Sequence, residues 1–212
     1  MFYNMTNNTF FSKGWARATK IYPKSEEVII NCASCGSVGR YPKREFGVDI
    51  EGGTKYPDIL LCGEYPLTII SEKVLEDWKK ENITGYSYYK VDINNVFTKK
   101  LQTITPPQYF HIVINGRCNA DLGKMKLKVK KTCRCGQVTF DKQLWEIKEF
   151  YLNQNTWDGS DLFITDFFSS IALCTNKILI SACKNKHTNF LFVNAEDSMN
   201  ASATPIDYLK HC

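Results

Sequence analysis

Two cysteine turns, each placed after a run that reads as a strand, constrain this chain more than any other feature. Cys32-Ala-Ser-Cys35-Gly36 follows the strand pattern Glu27 to Asn31, and Thr132-Cys133-Arg134-Cys135-Gly136 follows a second apolar alternation. A CxxCG turn after a strand is the form of a zinc knuckle. Its backbone curls so that both thiolates face one point, and the glycine supplies the positive φ that the curl needs. If both turns close on one ion, the segments carrying them must meet in space. The second turn departs from the first: with Cys135-Gly136 set on Cys35-Gly36, the partner cysteine should stand at 132 and stands at 133.

Cys32, Cys35, Cys133 and Cys135 are therefore the candidate metal ligands for one structural zinc, with Cys118 as a substitute. Two other readings stay open: metal-free turns left from an ancestral site, and a thiol redox motif. Redox CxxC pairs sit at a helix N-terminus that lowers the first thiol's pKa, and neither turn leads into a helical pattern. Cys62, Cys174 and Cys183 stand in apolar surroundings and read as small buried hydrophobes.

Each cysteine turn is followed downstream by a strand–helix–strand grammar. Leu67 to Ile70 forms an apolar strand, and Ser71 is placed as an N-cap. Val74, Leu75 and Trp78 then recur at helical spacing, Gly85 ends the unit, and Tyr86-Ser87-Tyr88 alternates as a strand. A shift of 104 sets Thr175 on Ser71, Ile178 on Val74, Leu179 on Leu75, Thr188 on Thr84 and Asn189 on Gly85. Asp58-Ile-Leu-Leu matches Asp161-Leu-Phe-Ile at a shift of 103. The reading is a duplication: a first half, 1–100, and a second half, 101–212, with Pro106-Pro107 marking the junction and one interface shared between them.

The remaining signals are mainly β. Phe110 to Asn115 and Lys124 to Lys131 read as strands, and Gly52 to Pro57 and Asn153 to Ser160 read as turns. The thirteen Phe and eleven Tyr fit extensive cross-strand packing. The expected class is α+β, β-rich, in two pseudo-repeated halves that form one bilobed body. The N-terminus lacks a basic segment followed by an apolar one, and no apolar run approaches the roughly 20 residues that span a bilayer, so the expectation is a cytoplasmic protein without membrane contact.

Catalytic motifs are missing. His111, His187 and His211 form no metalloprotease pattern, and there is no nucleophile elbow, P-loop or dinucleotide-binding fingerprint. Asp158-Gly159-Ser160-Asp161 reads as a turn with a cap before it reads as a catalytic pair. In Lys124-Met-Lys-Leu-Lys-Val-Lys-Lys131 the alternation places Lys124, Lys126, Lys128 and Lys130 on one strand face, with Met125, Leu127 and Val129 toward the core. That stripe is a solvated edge in the bland account and a footprint for an acidic partner or nucleic acid in the sharper one. A net charge of +5 is moderate. The alternate positions are aliphatic where base stacking would want aromatics, so nucleic acid is an unlikely partner on this reading.

Taken together, the Phe2-Tyr3 start, the first cysteine turn, the Val48-Asp49 step, the Ser71 to Lys73 opening, the Ile83 to Gly85 turn, the second cysteine turn and Asp161-Leu162-Phe163 resemble the double-CXXCG family of bacterial proteins. The resemblance lies in the order of short motifs along nearly the whole chain, and the second turn departs from it. What it implies is a non-enzymatic immunity protein of a toxin system: a cytoplasmic toxin inhibitor that binds a cognate protein toxin directly. Inhibitors of nucleases are commonly acidic, so this charge suits an acidic or neutral toxin better. The alternative from the residues alone is a zinc-ribbon-like nucleic-acid-binding protein, and the third reading is a thiol oxidoreductase.

Overall fold

The structure, a computed structural model, describes residues 1–7, 14–24, 26–62, 67–200 and 203–211. Strand β1 (Phe2–Asn7) opens the chain. After β2 (Arg17–Pro23) comes a hairpin of β3 (Glu27–Asn31) and β4 (Val38–Pro42). Next, β5 (Phe46–Glu51), β6 (Ile59–Cys62) and β7 (Thr68–Ser71) lead into helix α1 (Glu72–Lys80). The long β8 (Tyr86–Val96) and short α2 (Lys99–Gln102) precede β9 (Tyr109–Ile114), β10 (Gly116–Arg117) and β11 (Asn119–Ala120). A second hairpin follows, β12 (Val129–Thr132) and β13 (Val138–Phe140). The chain closes with β14 (Leu152–Asn153), β15 (Leu162–Ile164), β16 (Leu173–Thr175), helix α3 (Asn176–Lys184) and β17 (Phe190–Asn194). The fold is mixed α+β and rich in strands.

Six strands close into a barrel in the order β2-β5-β8-β9-β7-β6. From β5 the alternating Phe46, Val48 and Ile50 fill the interior with Leu60, Ile69, Val91 and Tyr109. Burying each such side chain contributes roughly 1.5–3 kcal/mol. The buried Tyr109 hydroxyl is satisfied by donating to the Pro57 carbonyl at 2.7 Å. On the opposite face of β5, Asp49 is covered but accepts from the Tyr22 hydroxyl at 2.6 Å and from Asn95 Nδ2 at 2.8 Å. The Tyr22 bond foremost, then that of Asn95 and the charge of Lys20, hold its carboxyl below the ordinary carboxylate range against the cost of burial.

A second, five-stranded sheet runs in the order β10-β15-β16-β1-β17. Helices α1 and α3 sink their apolar faces into the layer between barrel and sheet. Val74, Leu75 and Trp78 meet Ile178, Leu179 and Ala182 in one core that also holds Tyr3 and Phe192. A third core, under the second hairpin, collects Met125, Leu127, Phe140, Phe150 and Phe168.

Ser71 and Thr175 do stand at the N-caps of α1 and α3, but neither side chain caps its helix. Each hydroxyl donates instead to a carboxylate behind it, Ser71 to Asp58 at 2.8 Å and Thr175 to Asp161 at 3.0 Å. The other oxygen of Asp58 accepts from the Thr188 amide (2.8 Å) and hydroxyl (2.9 Å), and that of Asp161 from the Thr84 amide (3.0 Å) and hydroxyl (3.1 Å). Lys73 and Lys177 complete the two sets at 3.6 and 3.2 Å. Gly85 and Asn189, one residue beyond each threonine, both take positive φ, +92° and +66°.

One expectation needs correction. The strand over Lys124 to Lys131 is confined to Val129–Thr132. Asp121 accepts the Met125 amide and the Leu127 amide bonds back to Leu122, so the chain coils there, with Lys126 at φ +53°. Met125 and Leu127 still reach the core, whereas Val129 is exposed. Strand pairing joins the two halves: β1 pairs with β16 and β17, and β9 pairs with β7 and β8 in the barrel.

Candidate metal centre

Both cysteine turns are loops of two-stranded hairpins. In the first, the Cys32 amide donates to the Ser37 carbonyl (2.9 Å) and the Gly36 amide returns to Cys32 (2.8 Å). In the second, the Cys133 amide donates to Gln137 (2.8 Å) and the Gly136 amide returns to Cys133 (2.9 Å). Residues 33–36 thus lie inside the first loop and 134–136 inside the second. The one-residue displacement of Cys133 is a shortened loop, absorbed between the same two anchoring bonds. Gly36 (φ +72°) and Gly136 (φ +87°) make the left-handed step in each.

The two loops face each other. Cys32 Sγ lies 3.4 Å from Cys133 Sγ, Cys35 Sγ lies 3.5 Å from Cys135 Sγ, and all four sulfurs fall within 4.8 Å of one another. Tetrahedral zinc with Zn–S bonds of about 2.3 Å sets its sulfurs about 3.8 Å apart. Four soft donors in this arrangement, with no carboxylate among them, suit zinc. The cluster is consistent with a single structural zinc site that joins the first hairpin to the second.

The surrounding groups favour thiolates unevenly. The Ser37 hydroxyl and amide hold the Cys35 thiol down at about 6. The bond from Cys133 and a nearby amide lower Cys32. At Cys135 the Gln137 amide favours the thiolate, but its bond to Cys35 and the other sulfurs outweigh that and push it up to about 11. Four thiolates this close repel one another, and a dication removes the conflict. Bound there, zinc would supply cross-linking alone, since four protein ligands leave no open position for catalysis.

Cys118 is not part of the cluster. It is buried in the third core, with Sγ near the carbonyls of Asn119 and Asn153. Burial pushes its thiol pKa up. Cys62 and Cys174 are buried free thiols as expected, whereas Cys183, buried as well, is disulfide-bonded and not a free hydrophobic thiol. Neither knuckle opens a helix, so the electrostatic device of a redox CxxC pair is missing from both. Asp158 is engaged in a turn, accepting from the Ser160 and Arg117 amides, and Asp161 holds Thr84, Thr175 and Lys177.

Ser37 and the two carboxylates Asp58 and Asp161 carry roles that their sequence context did not announce. For the aspartates there was a signal, the shared 103-residue shift, but its purpose lay in partners far along the chain.

No protein-family model matches this chain, and no curated protein matches it.

Proposed function

We propose that this protein is a zinc-ribbon-like binding module without catalytic chemistry, in which one zinc fastens two β-hairpins and nucleic acid is the ligand. The observation that carries the reading is the convergence of Cys32, Cys35, Cys133 and Cys135 from hairpins a hundred residues apart. The charge supports it further. Residues 124–148 hold eight Lys and Arg against two acidic residues, a net of +6 within a chain whose total is +5. All eight basic side chains are exposed. The positive charge of the molecule is therefore concentrated on the second knuckle and its flanks, which the modest total conceals. The test is binding of the zinc-loaded chain to labelled oligonucleotides. Affinity should fall steeply with salt, and a chain that ignores oligonucleotides at about 50 mM salt would refute the reading.

A second reading keeps the implied family role, an immunity protein that binds a cognate toxin in the cytoplasm. What favours it is an exposed apolar pair on one face of the first hairpin, Ile29 (64% exposed) and Val38 (82%), of the kind protein interfaces cover. Co-expression with a toxin encoded beside it decides this reading: growth rescue and co-purification support it, and neither occurring removes it.

The paired carboxylate clamps support a duplicated origin for the halves 1–100 and 101–212. Corresponding residues make corresponding bonds, and each clamp takes its threonine from the other half.

A further inference from the structure

The second hairpin borders a groove of 440 Å³ lined by Gln137, Thr139, Phe140, Lys142, Gln143 and Phe167, with Cys135 of the knuckle at one end. Phe167 is 38% exposed and meets Phe140 edge-on, with ring centroids 5.9 Å apart. Trp145 sits two residues beyond Gln143 on a short 3-10 turn (Leu144–Glu146), and it is 75% exposed. A tryptophan so open costs a folded protein solubility without adding to its core. Here it stands between two exposed lysines, Lys142 and Lys148, in the segment that carries the chain's excess charge.

Resting on the zinc-ribbon reading, we propose that this groove binds single-stranded nucleic acid, with Trp145 and Phe167 as stacking platforms for bases and the lysines as phosphate contacts. Charge complementarity selects a polyanion. The aromatics select one with exposed π-faces, which a duplex hides within its stack and an anionic membrane lacks. The lysine run therefore does have aromatic company. It comes from Phe167 in the loop after β15, which meets Phe140, and in sequence from Trp145, not from the alternate positions of the run itself. Gln143 and Asp166, which also lines the groove, add an amide and an acceptor suited to a base edge, although Asp166 already accepts weakly from the Ala120 amide at 3.5 Å. The two acidic residues of the segment are held in local turns, Asp141 accepting the Lys128 amide and Glu146 the Gln143 amide, and the segment keeps its net +6 with them counted.

Fluorescence anisotropy of the zinc-loaded full chain with a labelled oligothymidine, a duplex of mixed sequence and vesicles carrying anionic lipid separates the cases. The expected result is preference for the single strand. Trp145→Leu should weaken it roughly ten- to hundredfold while leaving the salt slope unchanged, with Trp145→Phe retaining most of the affinity. Lys130→Ala should make the salt slope shallower by about 0.7, the increment for one phosphate of a single strand left without its lysine. Circular dichroism and zinc content of each variant show whether it folds, and Phe167→Leu serves as a second probe that keeps the packing against Phe140 apolar. Duplex bound as well as single strand, with both aromatic variants inert, overturns the groove proposal and leaves the basic zinc module standing. Equal binding to anionic vesicles overturns it likewise. Loss of all oligonucleotide binding overturns both.

Discussion

Asp58 and Asp161 each tie the hydroxyl at the start of one helix to a threonine far along the chain. Each is mostly buried, each accepts from a hydroxyl at the start of a helix, and each reaches an amide and hydroxyl on a distant threonine. Bonds to a charged acceptor contribute about 1.5–3 kcal/mol each, and removing the acceptor strands its donors. Asp58→Ala and Asp161→Ala should therefore each destabilise the protein by about 2–4 kcal/mol in urea unfolding, and by similar amounts. A loss below about 0.5 kcal/mol at either site would show that the clamp is ornamental. Histidine gives a second expectation. Burial, chiefly, lowers the pKa of His111 in the barrel and of His187 beside Asp77 from 6.5. Below about pH 6.5 the unfolded chain then binds more protons than the folded one, so stability should fall as pH drops from about 7.5 toward about 5.5. Substituting His111→Gln should flatten that slope, and an unchanged slope would contradict the assignment.

Among the elements, α1 and α3 and the strands on either side of them were legible because their signals are local. Val74, Leu75 and Trp78 sit at helical spacing, and burial of all three follows from it. The run at 124–131 misled for a physical reason. Met125 and Leu127 alternate with lysines, and a coiled turn buries both as well as a strand would, so alternation alone does not distinguish the two conformations. Gly123 and the acceptor Asp121 were the turn signals that outweighed it. In the cysteine turns the shift of Cys133 looked like a loss of geometry, yet the anchoring amide bonds lie outside the shortened loop and the sulfurs still converge. Cys133→Ser should accordingly be as disruptive as Cys32→Ser, whereas Cys118→Ser should leave metal affinity intact. Competition with a zinc-binding dye measures this, and weaker zinc retention in the Cys118 variant would contradict the four-ligand set.

At the scale of the molecule, the pairing of β1 with β16 and β17 had no local trace, because a strand at residues 2–7 carries nothing that names a partner beyond residue 170. The convergence of the two hairpins was legible only as a condition: if one ion is bound, the turns must meet. They do meet, and the strongest concentration of positive charge sits beside them. A metal there would have a definite duty, fixing the first hairpin, whose described side chains join none of the three cores, to the second, which sits on the third core. Metal binding to such a set is itself folding free energy for the segments it joins. The direct test is the metal content of the purified 212-residue chain by plasma mass spectrometry, with thermal unfolding measured before and after chelation. One zinc per chain, absent from a Cys35→Ser, Cys135→Ser double variant, with a lower melting temperature once zinc is withdrawn, is the predicted result. Zinc near zero in chain purified under reducing conditions, or a melting temperature indifferent to its removal, would contradict the account.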